Sequence, residues 1–213
     1  VGKDMLRFHT GIWPGMLLSA GIALPKQVIV HGFLTVNGQK MSKSLGNVVN
    51  PLELRKKYDA DSIRYYLCRT FPFGQDGDFS EKKLVERHNN ELADKLGNLV
   101  SRVSALAEKY GLEKRENKLI KKLKEKEIKE KMENYELDKA LNLIFEFIDA
   151  CNLYVQENKI WETKDKKKLY ELVESIKKVA WYLQPFMPET AEKISEIFSG
   201  KIKKAEILFK KII

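Results

Sequence analysis

From Ser80 onward, apolar residues return at three- and four-residue steps, the period of helices that each bury one face. Leu92, Leu96, Leu99, Val103 and Leu106 form one stripe, ending near Gly111. Leu137, Leu141, Ile144, Ile148, Cys151 and Val155 form the next. A further helix is predicted over 165–184, where Pro185 and Pro188 punctuate the chain, and a last one over Thr190–Phe198, ending at Gly200. Ser80, ahead of Lys82, Lys83 and Leu84, reads as a helix cap. Residues 113–133 are nearly all Lys and Glu, with Leu119, Ile120, Leu123 and Ile128 among the few apolar anchors. That pattern predicts a solvated helix or a loosely packed connector. The tail Ala205–Phe209 reads as a short strand or a terminal staple. The whole second part is expected to be an antiparallel helix bundle.

The first eighty residues follow another pattern. Phe8 to Ala20 is mostly apolar and predicts a helix, after which Pro25 breaks the chain. Val28-Ile29-Val30 is a short β-branched run fit for a buried strand. Phe33 to Val36, the turn Asn37-Gly38 and Gln39 onward predict a hairpin. Two short helices follow, Leu52–Tyr58 and Asp61–Thr70; Arg64, Tyr65 and Tyr66 in the second are read as linking or core residues rather than site residues. Gly74 and Gly77 then mark a loop and a boundary near Ser80. The fold class is thus α+β, divided into residues 1–79 and 80–213.

Composition narrows the function classes. With 213 residues and 43% hydrophobic content, the chain can build a core and is not globally disordered. The net charge of +9 is shared between both parts and suits a polyanionic partner, although Lys/Glu enrichment alone also gives a charged surface. Cys68 and Cys151 stand alone, with no Cys-x-x-Cys and no His nearby, so buried reduced thiols are expected and no metal site is predicted. No apolar stretch approaches a membrane span and no signal peptide is evident, so a cytoplasmic protein without membrane contact is expected.

Candidate chemistry centres on Lys40-Met41-Ser42-Lys43-Ser44, followed by Leu45-Gly46-Asn47. Two lysines three residues apart on a loop can close over a polyphosphate, their compact ammonium groups neutralising charge as a bond to phosphorus breaks. Asp4 reads as an N-cap or first-turn acid of the following helix. Asn98 and Arg102 lie four apart, on a helix face set aside from the apolar stripe and expected to meet solvent.

The lysine loop resembles that of class I aminoacyl-tRNA synthetases. Its flanks are similar to the methionyl-tRNA synthetase family: Gly2-Lys3-Asp4, Phe8-His9, Trp13-Pro14, His31-Gly32-Phe33, Asp59 to Tyr66, and Pro72 to Phe79. The resemblance implies the C-terminal half of a class I Rossmann-like catalytic domain followed by an anticodon-binding bundle. It implies that Lys43, assisted by Lys40, stabilises ATP phosphates, that Asp4 meets the ribose, and that His31 and Gly32 meet adenine, with a core role for His31 as the alternative. Phe8 and His9 would shape the methionine pocket, where a thioether packs well on aromatic edges. Asn98 and Arg102 would contact anticodon bases, and Trp161 would stack on one or else cap the bundle core. Relatives place Pro before that Trp, whereas Ile160 stands here. His9, His31 and His88 do not form the His-x-Gly-His motif of the class. The resemblance therefore implies the C-terminal portion of an enzyme joining methionine to tRNA(Met) with ATP and Mg2+. On this reading the N-terminal catalytic half is a missing partner and the portion alone is inactive. A non-catalytic tRNA-binding module and another class I synthetase are the alternatives.

Overall fold

The computed structural model describes residues 1–213 except Asn37 and Lys43. Helical structure opens the chain, as a 3-10 turn Lys3–Met5, a π-helical segment Phe8–Ile12 and helix α1, Trp13–Ser19. This agrees with the helix expected from Phe8, yet no residue of it is buried. Val28-Ile29-Val30 forms no strand. Among the described residues, this run and His31 after it meet the first residues of the chain: the Val1 amine donates to Ile29 O at 2.6 Å, His31 N–H to Val1 O at 2.9 Å, and Lys3 N–H to His31 O at 3.2 Å. One parallel bridge, Gly2 with His31, results. The β-branched run is half-buried.

The expected hairpin is present. Strand β1, Leu34–Val36, pairs antiparallel with β2, Gln39–Lys40, and Gly38 at the turn takes a φ of 72°, which glycine adopts without strain. Strand β3, Gly77–Phe79, adds in parallel on the other side of β1, with Leu34, Thr35 and Val36 opposite Gly77, Asp78 and Phe79. Helices α2, Pro51–Lys57, and α3, Ala60–Thr70, lie between. Leu54, Ile63, Tyr66, Phe79 and Leu84 close a small core around them.

Ser80 caps α4, Glu81–Arg87, its hydroxyl accepting from Lys83 N–H at 3.4 Å. A π-helical stretch, His88–Gly97, carries the rod on into α5, Asn98–Tyr110, which Gly111 terminates. A 3-10 turn, Leu119–Lys122, leads to α6, Glu125–Glu133, α7, Leu137–Glu157, the short α8, Ile160–Thr163, α9, Lys166–Leu183, and α10, Pro188–Ile197. Both predicted stripes point inward: Leu92, Leu96, Leu99, Val103, Leu141, Ile144, Ile148, Cys151 and Val155 are all buried in one core. The Cys151 thiol is pushed up to about 12 by that burial, and Cys68 is also raised, so both are poor nucleophiles at neutral pH.

Two expectations that left alternatives open are decided by the structure. The 113–133 segment is not a loose connector: Leu119, Leu123 and Ile128 are buried in the bundle core, and Asn117 donates to Ser175 Oγ at 3.1 Å. The tail forms no strand but staples the rod, with Ala205 and Phe209 buried, His88 Nε2 2.9 Å from Lys210 O, and Asn89 bonded to Ile212 through both its amide atoms.

Helix α3 joins the two parts. Tyr65 faces the bundle core and Tyr66 the small core. Arg64 donates to Phe186 O at 2.8 Å and Pro185 O at 2.7 Å, satisfying carbonyls just past α9. The buried Asp61 carboxylate accepts from Thr190 N–H at 2.6 Å in the first turn of α10, where a helix N-terminus favours negative charge.

Candidate functional site

The extended pairing of residues 1–3 with 29–31 brings Asp4 and His31 together. A Cβ on Gly2 would sit 2.8 Å from Asp4 Oδ1 and 3.8 Å from His31 Cε1, so the carboxylate and the ring flank one glycine. His31 Nδ1 lies 2.9 Å from Gly32 O, and its ring is exposed rather than in a core. Gly32 is required by its own fold. A Cβ there would fall 2.1 Å from Gln75 O and 2.6 Å from Asp76 N, both backbone atoms of the 73–76 loop that leads into β3.

That loop is tied to the strand end on two sides: Phe33 N–H donates to Asp76 Oδ1 at 2.8 Å, and Gly77 N–H donates to Phe33 O at 2.8 Å. Asp76 also receives Lys3 Nζ at 2.7 Å on both oxygens. Lys3, and then the Phe33 amide, hold the Asp76 carboxyl below its usual range. Because the folded value is depressed, the stabilisation is present at neutral pH and lost as pH falls through that value. We expect the Phe33 and Gly77 amide NMR shifts to titrate with a midpoint below the ordinary aspartate value of about 3.9. A midpoint at or above it, or one unchanged by Asp76→Asn, refutes the assignment.

Lys40 projects to the same place, its ammonium 5.2 Å from the Phe33 ring centroid, with Lys3 at 4.5 Å. The loop after it is closed by Asn47, whose Oδ1 accepts from Ser42 N–H at 2.8 Å and whose amide donates to Lys40 O at 3.3 Å. Lys43 lies outside the described residues. Phe8 and His9 come next along the helical run: Phe8 is half-exposed, and His9 stands edge-on to Trp13 at 6.0 Å with Nδ1 2.9 Å from Met5 O. Asp4, His31, Gly32 and Lys40 thus gather on one edge, with Phe8 and His9 one to two turns away.

A second group lies on the bundle. Asn98 and Arg102 are exposed on α5, as their spacing predicts, with Asn98 Nδ2 donating to Asp94 O at 3.0 Å. Trp161 is 42% exposed while its neighbour Ile160 is fully buried, so the indole does not cap the core. Ile160 takes that role where relatives are expected to carry Pro. The Tyr110 hydroxyl reaches Trp161 O at 3.4 Å, placing the Trp turn beside the C-terminal end of α5.

Sequence reasoning missed Lys3, Phe33, Asp76, Asn47 and Tyr110. Asp76 and Phe33 sit in strings that the resemblance quotes, but the 73-residue separation of Lys3 from Asp76 leaves no local signal.

A mixed β2-β1-β3 sheet with a lysine-bearing loop thus precedes a helix bundle that exposes Asn98, Arg102 and Trp161, and the class of protein follows from comparison. The sequence profile of class I (M) tRNA synthetases matches residues 1–104, and that of the anticodon-binding domain of tRNA ligases matches residues 116–212. The chain belongs to the methionyl-tRNA synthetase family and corresponds to a C-terminal portion of it. It is 42% identical to the methionine–tRNA ligase of Thermotoga maritima over 212 residues, covering 91% of the chain and 34% of that protein. To the ligase of Clostridium acetobutylicum it is 40% identical, covering all of the chain and 39% of that protein. It superposes on Mycobacterium tuberculosis methionyl-tRNA synthetase in complex with methionyl-adenylate with a TM-score of 0.85 at 33% identity, over 92% of the chain and 43% of that structure. The chain therefore spans well under half the length of these relatives.

Proposed function

We propose that the chain serves a methionine–tRNA ligase, which activates methionine with ATP and Mg2+ to methionyl-adenylate, releases pyrophosphate, and passes the methionyl group to tRNA(Met). The observation that carries this reading is identity of 40% or more to ligases of that name across both parts of the chain. Residues 1–79 supply the C-terminal half of the Rossmann-like catalytic domain, and residues 80–213 the anticodon reader. Lys43 and Lys40 neutralise the ATP phosphates. Asp4 takes the ribose hydroxyls, His31 and Gly32 border adenine, and Phe8 and His9 line the methionine pocket. The apolar face of the first helical run supports a partner segment there: Phe8, Ile12 and Met16 are 50%, 53% and 64% exposed, which is costly to leave in water. That partner is the N-terminal catalytic half of the ligase, and the chain by itself does not activate methionine. The ligase works in the cytoplasm.

Asn98 and Arg102 donate to unstacked anticodon bases while Trp161 stacks on one of them. The test is a fluorescence-anisotropy titration of this chain with tRNA bearing a CAU anticodon against the same tRNA with the anticodon changed. A preference of at least tenfold, about 1.4 kcal/mol, that Trp161→Ala abolishes is the expected result. Equal binding to both tRNAs refutes the anticodon role.

A further inference from the structure

The exposed face of α5 does not stop at Arg102. Asn98, Arg102 and Lys109 are spaced by four and seven residues and so lie along one face of the helix, a track of about 16 Å at 1.5 Å per residue. At its far end two ammonium groups gather over one ring: Lys109 Nζ is 5.3 Å from the Tyr110 centroid and Lys164 Nζ is 6.0 Å from it. Tyr110 in turn holds the Trp161 turn through its hydroxyl.

Several lysines around them are paired with carboxylates. Lys159 pairs with Glu162 at 3.8 Å, Lys167 with Glu113 at 3.1 Å and Lys168 with Asp165 at 3.8 Å. Among the described residues, Lys109 and Lys164 make no such ion pair. Lys159 and Lys164, which bracket α8, both take left-handed backbone conformations, with φ of 42° and 52°, uncommon outside glycine. The second of these turns sets the Lys164 stem beside Tyr110. Two unpaired ammonium groups that share one ring as a contact make a locally positive surface, which a backbone phosphate neutralises while releasing counterions.

We propose that Lys109 and Lys164, gathered over Tyr110 at the foot of the Trp161 turn, clamp a backbone phosphate of the RNA strand whose bases meet Asn98, Arg102 and Trp161. This inference rests on the anticodon role proposed above and adds to it a sequence-independent contact. Bases select the RNA, and the lysine pair fixes the register of its backbone.

The test uses the chain as it stands and an RNA stem-loop with a CAU anticodon, titrated by anisotropy from 0.05 to 0.3 M salt, a range of about one Debye-length halving. Lys109→Gln with Lys164→Gln is expected to weaken binding about tenfold at low salt and flatten the log K against log salt slope by about 1.4, two single-strand contacts' worth. The CAU preference should survive. Lys126→Gln with Lys193→Gln, which line other grooves, should leave the slope unchanged. A slope unaltered by the first pair, or flattened equally by the second, overturns the clamp. Loss of the CAU preference in Trp161→Ala at an unchanged slope keeps the two readings separate. If the unmodified chain shows no CAU preference, the anticodon role fails, and the slope comparison still decides the clamp.

Discussion

Replacing Glu171 by Ala is expected to destabilise the bundle by about 3–4 kcal/mol, the cost of removing one member of a buried ionic network. At about 2–4 °C per kcal/mol for a chain of this size, the thermal midpoint should fall by about 10 °C. Glu171 is 1% exposed on α9, yet it is fully engaged. Oε1 accepts from Lys118 N–H at 2.9 Å and lies 3.4 Å from Arg115 Nε, and Oε2 accepts from the Tyr154 hydroxyl. Burial first, and then this bond to Glu171, raise the Tyr154 phenol above its ordinary range, so the tyrosine remains a donor throughout the physiological window. Truncation to Ala leaves Arg115 without its carboxylate, a backbone N–H without its acceptor and a hydroxyl without its partner, and opens a cavity as well. Glu171→Gln keeps the shape and one acceptor, so it should cost clearly less. Circular dichroism melts of both variants decide the matter: a loss under about 1 kcal/mol for Ala would show that the network is not structural.

The same residue explains where sequence reading stopped. The bundle stripes, the Ser80 cap, the turn at Gly38 and the Asn98–Arg102 face were legible because each is a local period or a local turn preference. The 113–133 segment left open a solvated helix or a loose connector; α6 is that helix, but the order of the stretch before it comes from α9, with Glu171 and Ser175 bonding Arg115 to Lys118 across more than fifty positions. No window of that segment contains this information. Arg64 was read as a linking residue, but what it and Asp61 link to was not legible, because their partners at 185–190 lie more than 120 residues away. At the candidate site, residue identities were readable from family strings, whereas the Lys3–Asp76 tie and the Asn47 brace arise only when separate strings meet. Val28-Ile29-Val30 failed in the opposite sense: β propensity was present, but among the described residues the only backbone pairing beside it is with residues 1–3, too short a partner for a ladder.

Gly32→Ala should have the largest effect on the first part of the chain, and its direction separates two reasons for a glycine at that position. If Gly32 serves only to let a nucleotide approach, an added methyl group leaves the unliganded chain intact and harms ATP binding alone. The structure instead fills the Cβ position with the chain's own backbone, at 2.1 Å from Gln75 O and 2.3 Å from Gln75 C. Backbone atoms cannot swing aside as a side-chain end can, so the 73–76 loop must lift from the strand end. That movement breaks the Phe33 N–H bond to Asp76, the Gly77 N–H bond to Phe33 and the Lys3 pairing that depends on them. Overpacking of this kind costs about 1–3 kcal/mol or somewhat more, and the loss should be confined to residues 31–36 and 73–79. Gly15 provides the control: it lies in α1 with nothing within 4 Å of its Cβ position, so Gly15→Ala should raise helix stability by about 0.5–1 kcal/mol. Hydrogen exchange on the unliganded chain reads both variants. Faster exchange at the Phe33 and Gly77 amides in Gly32→Ala, with no change there in Gly15→Ala, is the expected pair. An unchanged exchange map for Gly32→Ala would return the glycine to a purely ligand-facing role and remove the 73–76 loop from the account of how Lys3, Phe33 and Lys40 are held.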